Sequence, residues 1–152
     1  MTDQTLEHWL RAENFVSLFS RDGNQSTPLM RAAQKGDVNM AKKIMAAGGD
    51  IAGLNADGNN ALWLACFGQN LDLLDLLIDA GVAIDHSNAN GATALMFAAS
   101  SSRTAVVAHL LKRGADISAE TPDGFSALDM AGNVEILNLL RDARKRNAAP
   151  AS

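Results

Sequence analysis

The sequence predicts an all-α solenoid, in which short helix pairs repeat along the chain and stack on one another. Apolar residues return every 33 residues: Leu29, Leu62, Leu95 and Leu128, and with them Ala32, Ala65, Ala98 and Ala131. Glycines keep the same step at Gly48, Gly81 and Gly114. A fixed period of about 20 to 50 residues indicates units that bury their apolar faces only by stacking on their neighbours.

Residues 1–23 precede the clear period and predict an N-terminal cap. Leu6, Trp9 and Leu10 are spaced as on one face of a helix over about 4–13. A terminal unit of a solenoid needs a modified outer face, so the first interpretation is a cap on repeat one. The second is that Trp9 and Phe15 are partly exposed and contact a partner.

The repeat domain is predicted over residues 24–146, with repeats of about 24–56, 57–89, 90–122 and 123–146. Helix pairs are predicted over about 28–46, 61–80 and 94–113. No sheet is predicted apart from the extended β-turn segments that join the pairs. Thr27 suits the N-cap position and Pro28 the first helical position.

The fourth repeat departs from the period, because aligning its leucines requires a deletion of three residues, nearly one helical turn. Its first helix should therefore be stunted and the unit should act as the C-terminal cap. The basic run from Arg141 to Arg146 is interpreted as part of this cap, or as a docking patch for an acidic partner. Residues 147–152 are predicted to be a flexible tail.

The start of each repeat resembles an ankyrin repeat. The segment Thr27-Pro28-Leu29-Met30-Arg31-Ala32 is similar to the signature T-P-L-H-x-A, and NALWLA, TALMFA and SALDMA follow it in phase. The segments at the end of each predicted second helix, AGGDI, AGVAI and RGADI, also match the family pattern. The resemblance covers about residues 24–144 and implies β-turns followed by two helices. It says much about the fold and little about the partner, because the family binds many unrelated proteins.

Composition argues against several classes of function. A net charge of −4 is unlike that of a nucleic-acid-binding protein, which needs clustered Lys and Arg. No apolar run is long enough for a membrane span and no signal peptide is recognisable, which predicts a cytoplasmic protein. His8, His86 and His109 lack metal-ligand spacing, and Cys66 stands at a core position. We therefore expect no enzyme activity, no metal and no cofactor.

The resemblance implies that a protein partner lies on the concave face, formed by turn tips and by the outward sides of the first helices. Mapped onto this sequence, the predicted partner-binding residues are Arg31, Gln34, Lys35, Asp57, Asn59, Trp63, Leu64, Phe67, Asn90, Ala92, Phe97, Ser100, Phe125 and Met130. The predicted function is a non-catalytic adaptor, inhibitor or assembly factor that is monomeric when isolated. The alternative is a structural subunit buried permanently in a larger complex or homo-oligomer.

Overall fold

The computed structural model describes residues 4–148, with side chains from 5 to 147. In this part of the chain there are eight helices: α1 Gln4–Ala12, α2 Pro28–Lys35, α3 Val38–Ala46, α4 Ala61–Gly68, α5 Leu71–Asp79, α6 Ala94–Ser100, α7 Thr104–Lys112 and α8 Val134–Ala148. Strand pairing in the described residues is limited to two isolated antiparallel bridges, Ser87 with Thr93 and Glu120 with Ser126. The predicted all-α class and the three predicted helix pairs are confirmed.

The helix boundaries follow from local residue chemistry that recurs with the repeat. The Thr27 hydroxyl accepts the Met30 backbone N–H at the start of α2, and Pro28 takes the first helical position. Asn60 and Thr93 cap α4 and α6 in the same way, one and two periods later. Gly36 ends α2 with a left-handed φ of 71°, which glycine adopts without strain.

The chain divides between Ala83 and Ile84 into two compact units, which we call unit 1 and unit 2. Unit 1 contains α1 to α5, and its core includes the fully buried Leu29, Leu62 and Leu74. Helix α2 packs along α4, and their C-terminal ends approach so closely that a Cβ at Gly68 would lie 2.6 Å from the Ala33 carbonyl oxygen.

Unit 2 contains α6, α7 and α8, with α7 packed against the other two helices. Leu95, Val107 and Leu110 are buried, together with Ile136 and Leu140 of α8.

Where the sequence predicts a fourth repeat with a stunted first helix, the chain forms a turn at residues 127–130. The backbone N–H of Gly132 then donates to the Ala99 carbonyl oxygen at 2.9 Å, which ties the turn to the end of α6. Helix α8 reaches Ala148, and the rest of the predicted tail lies outside the described residues.

The N-terminal segment folds onto the first helix pair. Leu6, Leu10 and Phe15 are buried, and Trp9 stacks on Phe15 with 6.3 Å between the ring centroids. Phe15 is only 3% exposed, so its ring is packed within the N-terminal segment and is not partly exposed as the second interpretation requires. Among the described residues, no helix has the length and apolar character needed to cross a membrane.

Candidate functional site

The predicted tip between α3 and α4 is a turn organised by one buried asparagine. The Asn55 side-chain oxygen accepts the backbone N–H groups of Asp57 and Asn59, each at 3.0 Å. The Asn55 backbone N–H donates to the Asn59 carbonyl oxygen at 3.1 Å. This is an Asx turn, in which a side-chain oxygen replaces a backbone acceptor. The turn fixes the backbone that carries the exposed side chain of Asp57.

The same device recurs at the other tips, at positions that sequence reasoning missed. Asp22 and Asn88 each accept backbone N–H groups from the residues two and four positions further on, at 2.9–3.0 Å. In the last tip, the Thr121 hydroxyl accepts the backbone N–H of Phe125 at 3.2 Å. Asp22, Asn55, Asn88 and Thr121 are separated by the repeat period of 33 residues. The recurrence of a short polar residue every 33 positions is the sequence pattern from which these turns could have been predicted.

Unit 1 has a small open depression between its tips and its first helices, with a volume of about 160 Å3. Its lining brings together part of the predicted partner-binding set, namely Gln34, Asp57, Asn59, Trp63, Leu64 and Phe67. Asn24, Ser26 and Asn55 complete the lining. We call this surface the fingertip face of unit 1.

The side chains in this face are exposed to very different degrees. Phe67 is 50% exposed and stands at the end of α4, while Gln34 and Asp57 are also open to solvent. Leu64 is only 7% exposed, and Asn59 is buried within its turn. Leu64, although it is one of the predicted partner-binding residues, therefore offers little surface to a partner, because α4 packs closely along α2. The available apolar surface of this face is centred on Phe67.

Two other residues predicted to face a partner, Arg31 and Lys35, are held by acidic groups of the same unit. The Arg31 guanidinium donates to Glu13 at 3.1 Å and to Asp22 at 2.6 Å. The Lys35 ammonium also pairs with Glu13. In addition, the Arg31 guanidinium carbon lies 5.4 Å from the centroid of the Phe15 ring. Arg31 therefore joins the N-terminal cap to α2 and to the first tip.

These contacts lower the pKa values of both carboxylates. The hydrogen bond from Lys35 is the main cause for Glu13, and with the contacts from Arg31 it outweighs the effect of burial. At Asp22, burial alone would raise the pKa, but hydrogen bonds from the backbone of Ser26 and Asn24 and from Arg31 lower it overall. The charged form of each carboxylate is thus stabilised by the folded chain.

In unit 2, the predicted residue Phe97 is partly covered by a neighbouring side chain. The guanidinium carbon of Arg103 lies 5.0 Å from the centroid of the Phe97 ring, and the ring is half-buried. Ser100, at the end of α6, is exposed, and its hydroxyl donates to the Phe97 carbonyl oxygen at 3.1 Å. The Phe97 ring is therefore only partly available to a partner.

The remaining predicted residues of unit 2 lie in its turns. Asn90 is exposed and Ala92 half-buried in the tip that Asn88 organises. Phe125 is 52% exposed in the last tip, and Met130 is half-buried in the turn that replaces the missing helix. Unit 2 therefore offers one open aromatic side chain, Phe125.

Comparison with known families agrees with the periodic turns and helix pairs. The family model described as ankyrin repeats (3 copies) matches residues 4–88, 29–121 and 69–149, which together cover nearly the whole chain. The chain belongs to the ankyrin repeat family. No curated protein sequence matches the chain significantly. Ankyrin repeats are in general protein–protein interaction modules and are typically non-catalytic.

This ankyrin protein replaces the histidine of the family signature with several different groups. In α2 and α6 the replacement is methionine, and the sulfurs of Met30 and Met96 accept the backbone N–H groups of Thr27 and Thr93 at 3.5 and 3.4 Å. In the fourth repeat, an Asp129 carboxylate oxygen accepts the Ser126 backbone N–H at 2.9 Å, a bond that lowers the pKa of Asp129. At these three sites the residue at the histidine position accepts the backbone N–H of the residue three positions before it.

The side chains that could bind a metal ion or act as a nucleophile do not form a cluster in the described residues. Within residues 5–147, no three His, Cys, Asp or Glu side chains come close enough together to hold a metal ion. Cys66 is fully buried on α4, in agreement with its predicted role as a small core residue.

Proposed function

We propose that this ankyrin repeat protein is a non-catalytic adaptor, inhibitor or assembly factor that binds a protein partner through its tips and the outward sides of its first helices. In unit 1 the contacts would be made by Gln34, Asp57 and Phe67, with Trp63 beside them. In unit 2 the corresponding group is Phe125, with Asn90 and Ser100. The single observation that carries the proposal is the fingertip face of unit 1, which combines a half-exposed aromatic ring with polar side chains around a depression.

Rigid presentation is the proposed mechanism of recognition. The tip carrying Asp57 is held by Asn55, and α4 is capped by Asn60 and packed against α2. A surface that is already ordered loses little conformational entropy when a partner docks, so more of the contact energy appears as affinity. A matching partner would bring an apolar side chain to Phe67 and hydrogen-bonding groups to Gln34 and Asp57.

The expected contribution of Phe67 follows from its exposed area. A phenylalanine buries roughly 200 Å2 when fully covered, so covering the exposed half removes about 100 Å2 from water. At about 25 cal/mol per Å2, this burial contributes at most about 2.5 kcal/mol, or roughly 60-fold in affinity, from which the cost of ordering the side chain is subtracted. Aromatic residues at the centre of interfaces often contribute this much.

The test begins with an affinity pull-down from the source cell and continues with calorimetry on the recovered partner. Phe67→Ser should weaken binding by at least about tenfold. Circular dichroism should show that the variant remains folded, although it loses the packing of the covered half of the ring. Val134→Ser is the control, since Val134 is 69% exposed and lies on α8, outside the fingertip face. Loss of binding by Val134→Ser together with full binding by Phe67→Ser would exclude the fingertip face.

The monomeric state and the cytoplasmic location belong to this proposal as well. The alternative, a subunit buried permanently in a complex or homo-oligomer, predicts a different mass in solution. Light scattering of the isolated chain should give the mass of one copy, about 16.0 kDa. A mass of two or more copies, unchanged on dilution, would favour the alternative.

A further inference from the structure

A second depression in unit 1 lies between α1, the loop that follows α1, and α3. Its volume is about 690 Å3, and it shares no lining residue with the fingertip face. We call it the cap groove. It is lined by Leu6, Glu7, Leu10, Arg11, Phe15, Val16, Ser17, Leu18, Lys43, Ala46 and Ala47.

The lining of the cap groove is mainly apolar. Leu6 and Leu10 from α1 are buried, and Val16 beside them is 97% exposed. On the α3 side the lining ends in the small side chains of Ala46 and Ala47, both open to solvent. Small residues on one wall leave room for an occupant. A contiguous apolar surface with a polar rim is typical of an interaction site, whereas scattered apolar residues are not.

The shape of this surface favours an extended occupant. Leu18 also lines a neighbouring depression of about 180 Å3, together with Phe19, Ser20, Arg21, Thr27 and Asp50. The two depressions are therefore adjacent along the loop, and Phe19, which is 71% exposed, lies beyond Leu18. The volume of the cap groove alone is between four and five times that of the roughly 150 Å3 cavity that takes a benzene ring. A peptide with several apolar side chains fits this outline better than a compact small molecule does.

The charges at the rim favour an acidic occupant. Arg11 and Lys43 contribute two positive charges to the lining, and Glu7 contributes one negative charge. This local excess of positive charge contrasts with the net charge of −4 of the whole chain. Complementary charge increases association rates and selects among partners.

We propose that the cap groove is a second protein-docking surface, which binds an apolar peptide segment carrying an acidic side chain next to its apolar residues. The apolar side chains of that segment lie over Leu6, Leu10 and Leu18, and its carboxylate lies near Arg11. This surface is separate from the fingertip face, so the protein can hold two partners at the same time. The inference does not depend on the fingertip proposal.

A display selection tests this directly, with a library of random 16-residue peptides panned on the full chain. Enriched peptides should combine apolar residues with Asp or Glu. They should bind Ala46→Glu at least tenfold more weakly than the wild type, because the new carboxylate occupies the groove wall. Ala108→Glu is the matched control, an exposed alanine in the middle of α7, and it should change affinity less than twofold.

Two further variants separate binding in the groove from an effect on folding. Val16→Asp changes a fully open loop side chain, so it should weaken the same peptides while leaving the melting temperature unchanged. Arg11→Glu should weaken acidic peptides at least fivefold and shift a repeated selection toward Lys and Arg. Equal binding of the peptides by Ala46→Glu and wild type would overturn the proposal, and so would a selection that enriches no peptides.

Other occupants would also contradict the proposal, and each has its own signature. Concentration-dependent dimerisation that Ala46→Glu abolishes would identify a second copy of the chain as the occupant. Saturable binding of sodium laurate that displaces the selected peptides would identify a small amphiphile instead.

Discussion

Replacing Arg31 with methionine should loosen the attachment of the N-terminal cap to the first helix pair. Methionine keeps a long unbranched side chain and favours the helix, but it removes the hydrogen bonds to Glu13 and Asp22 and the contact with Phe15. If Arg31 served only to bind a partner, as the sequence predicts, the same change would leave folding unaffected. The two roles are therefore distinguished by a stability measurement.

The expected loss in the free energy of unfolding lies between the values that are typical of surface and of buried ion pairs. Hydrogen bonds to charged groups contribute about 1.5–3 kcal/mol each when well shielded, whereas exposed pairs contribute about 0–1 kcal/mol. The side chains of Arg31, Glu13 and Asp22 are 25%, 14% and 22% exposed, and Glu13 keeps its pairing with Lys35. We therefore expect a loss of about 2 kcal/mol, which corresponds to roughly 4–8 °C in melting temperature for a chain of this size.

The loss should also depend on pH in a defined direction. Glu13 and Asp22 have lowered pKa values in the folded chain, so the unfolded chain binds more protons as the pH falls. Their contribution is complete above their unfolded pKa values of about 4 and disappears as the pH falls through the folded values. The difference between wild type and Arg31→Met should be largest at pH 7 and should shrink below about pH 4.

Urea denaturation at pH 7 and at pH 3, followed by circular dichroism, measures both effects. Lys42→Met is the control, an exposed lysine on α3 whose replacement should change the free energy of unfolding by less than about 0.5 kcal/mol. An Arg31→Met variant as stable as the control at pH 7 would refute the structural role. A loss that stays constant from pH 7 to pH 3 would refute its attribution to the two carboxylates.

Three further predictions concern the repeats. Leu95→Ala in the core of unit 2 should cost about 2–5 kcal/mol in urea denaturation, and an unchanged midpoint would show that the repeat phase is misplaced. Gly68→Ala should lower the melting temperature although alanine favours helices, because the new Cβ would lie 2.6 Å from the Ala33 carbonyl oxygen; a rise would show that α2 and α4 separate easily. Asn55→Ala should speed hydrogen exchange at the N–H groups of the turn it holds, whereas Asp57→Ala should not; equal exchange rates in the two variants would rule out the Asx turn as the support of the tip.

The repeat period was sufficient to predict most of the fold from the sequence. Each unit of an ankyrin array makes the same local contacts, so one signature fixes the caps and the buried positions of several helices at once. Thr27, Leu29 and Leu95 have the predicted roles for this reason. The turn at residues 127–130, which stands where a full repeat would have its first helix, was also predictable, because a deletion of three residues cannot accommodate that helix.

The candidate site was predicted less completely, because its exposure depends on contacts that the period does not encode. Arg31 was assigned to a partner, yet its acidic neighbour Glu13 lies in the segment before the repeats, where no spacing indicates the pairing. Leu64 stands at a position that is outward in the signature, but the close approach of α2 and α4 buries it. The division of residues 24–146 into four repeats, and the remaining assignments of partner-binding residues, stay predictions.

The central claim, that a protein partner binds the fingertip face, is tested most directly by cross-saturation in NMR. The deuterated chain would be mixed with the recovered partner, and partner protons would be irradiated while amide signals of the ankyrin protein are recorded. Signal loss should be strongest at Gln34, Asp57 and Phe67, with none at Asp72 and Asp79 on α5. Signal loss confined to α5, with the fingertip face unaffected, would contradict the claim.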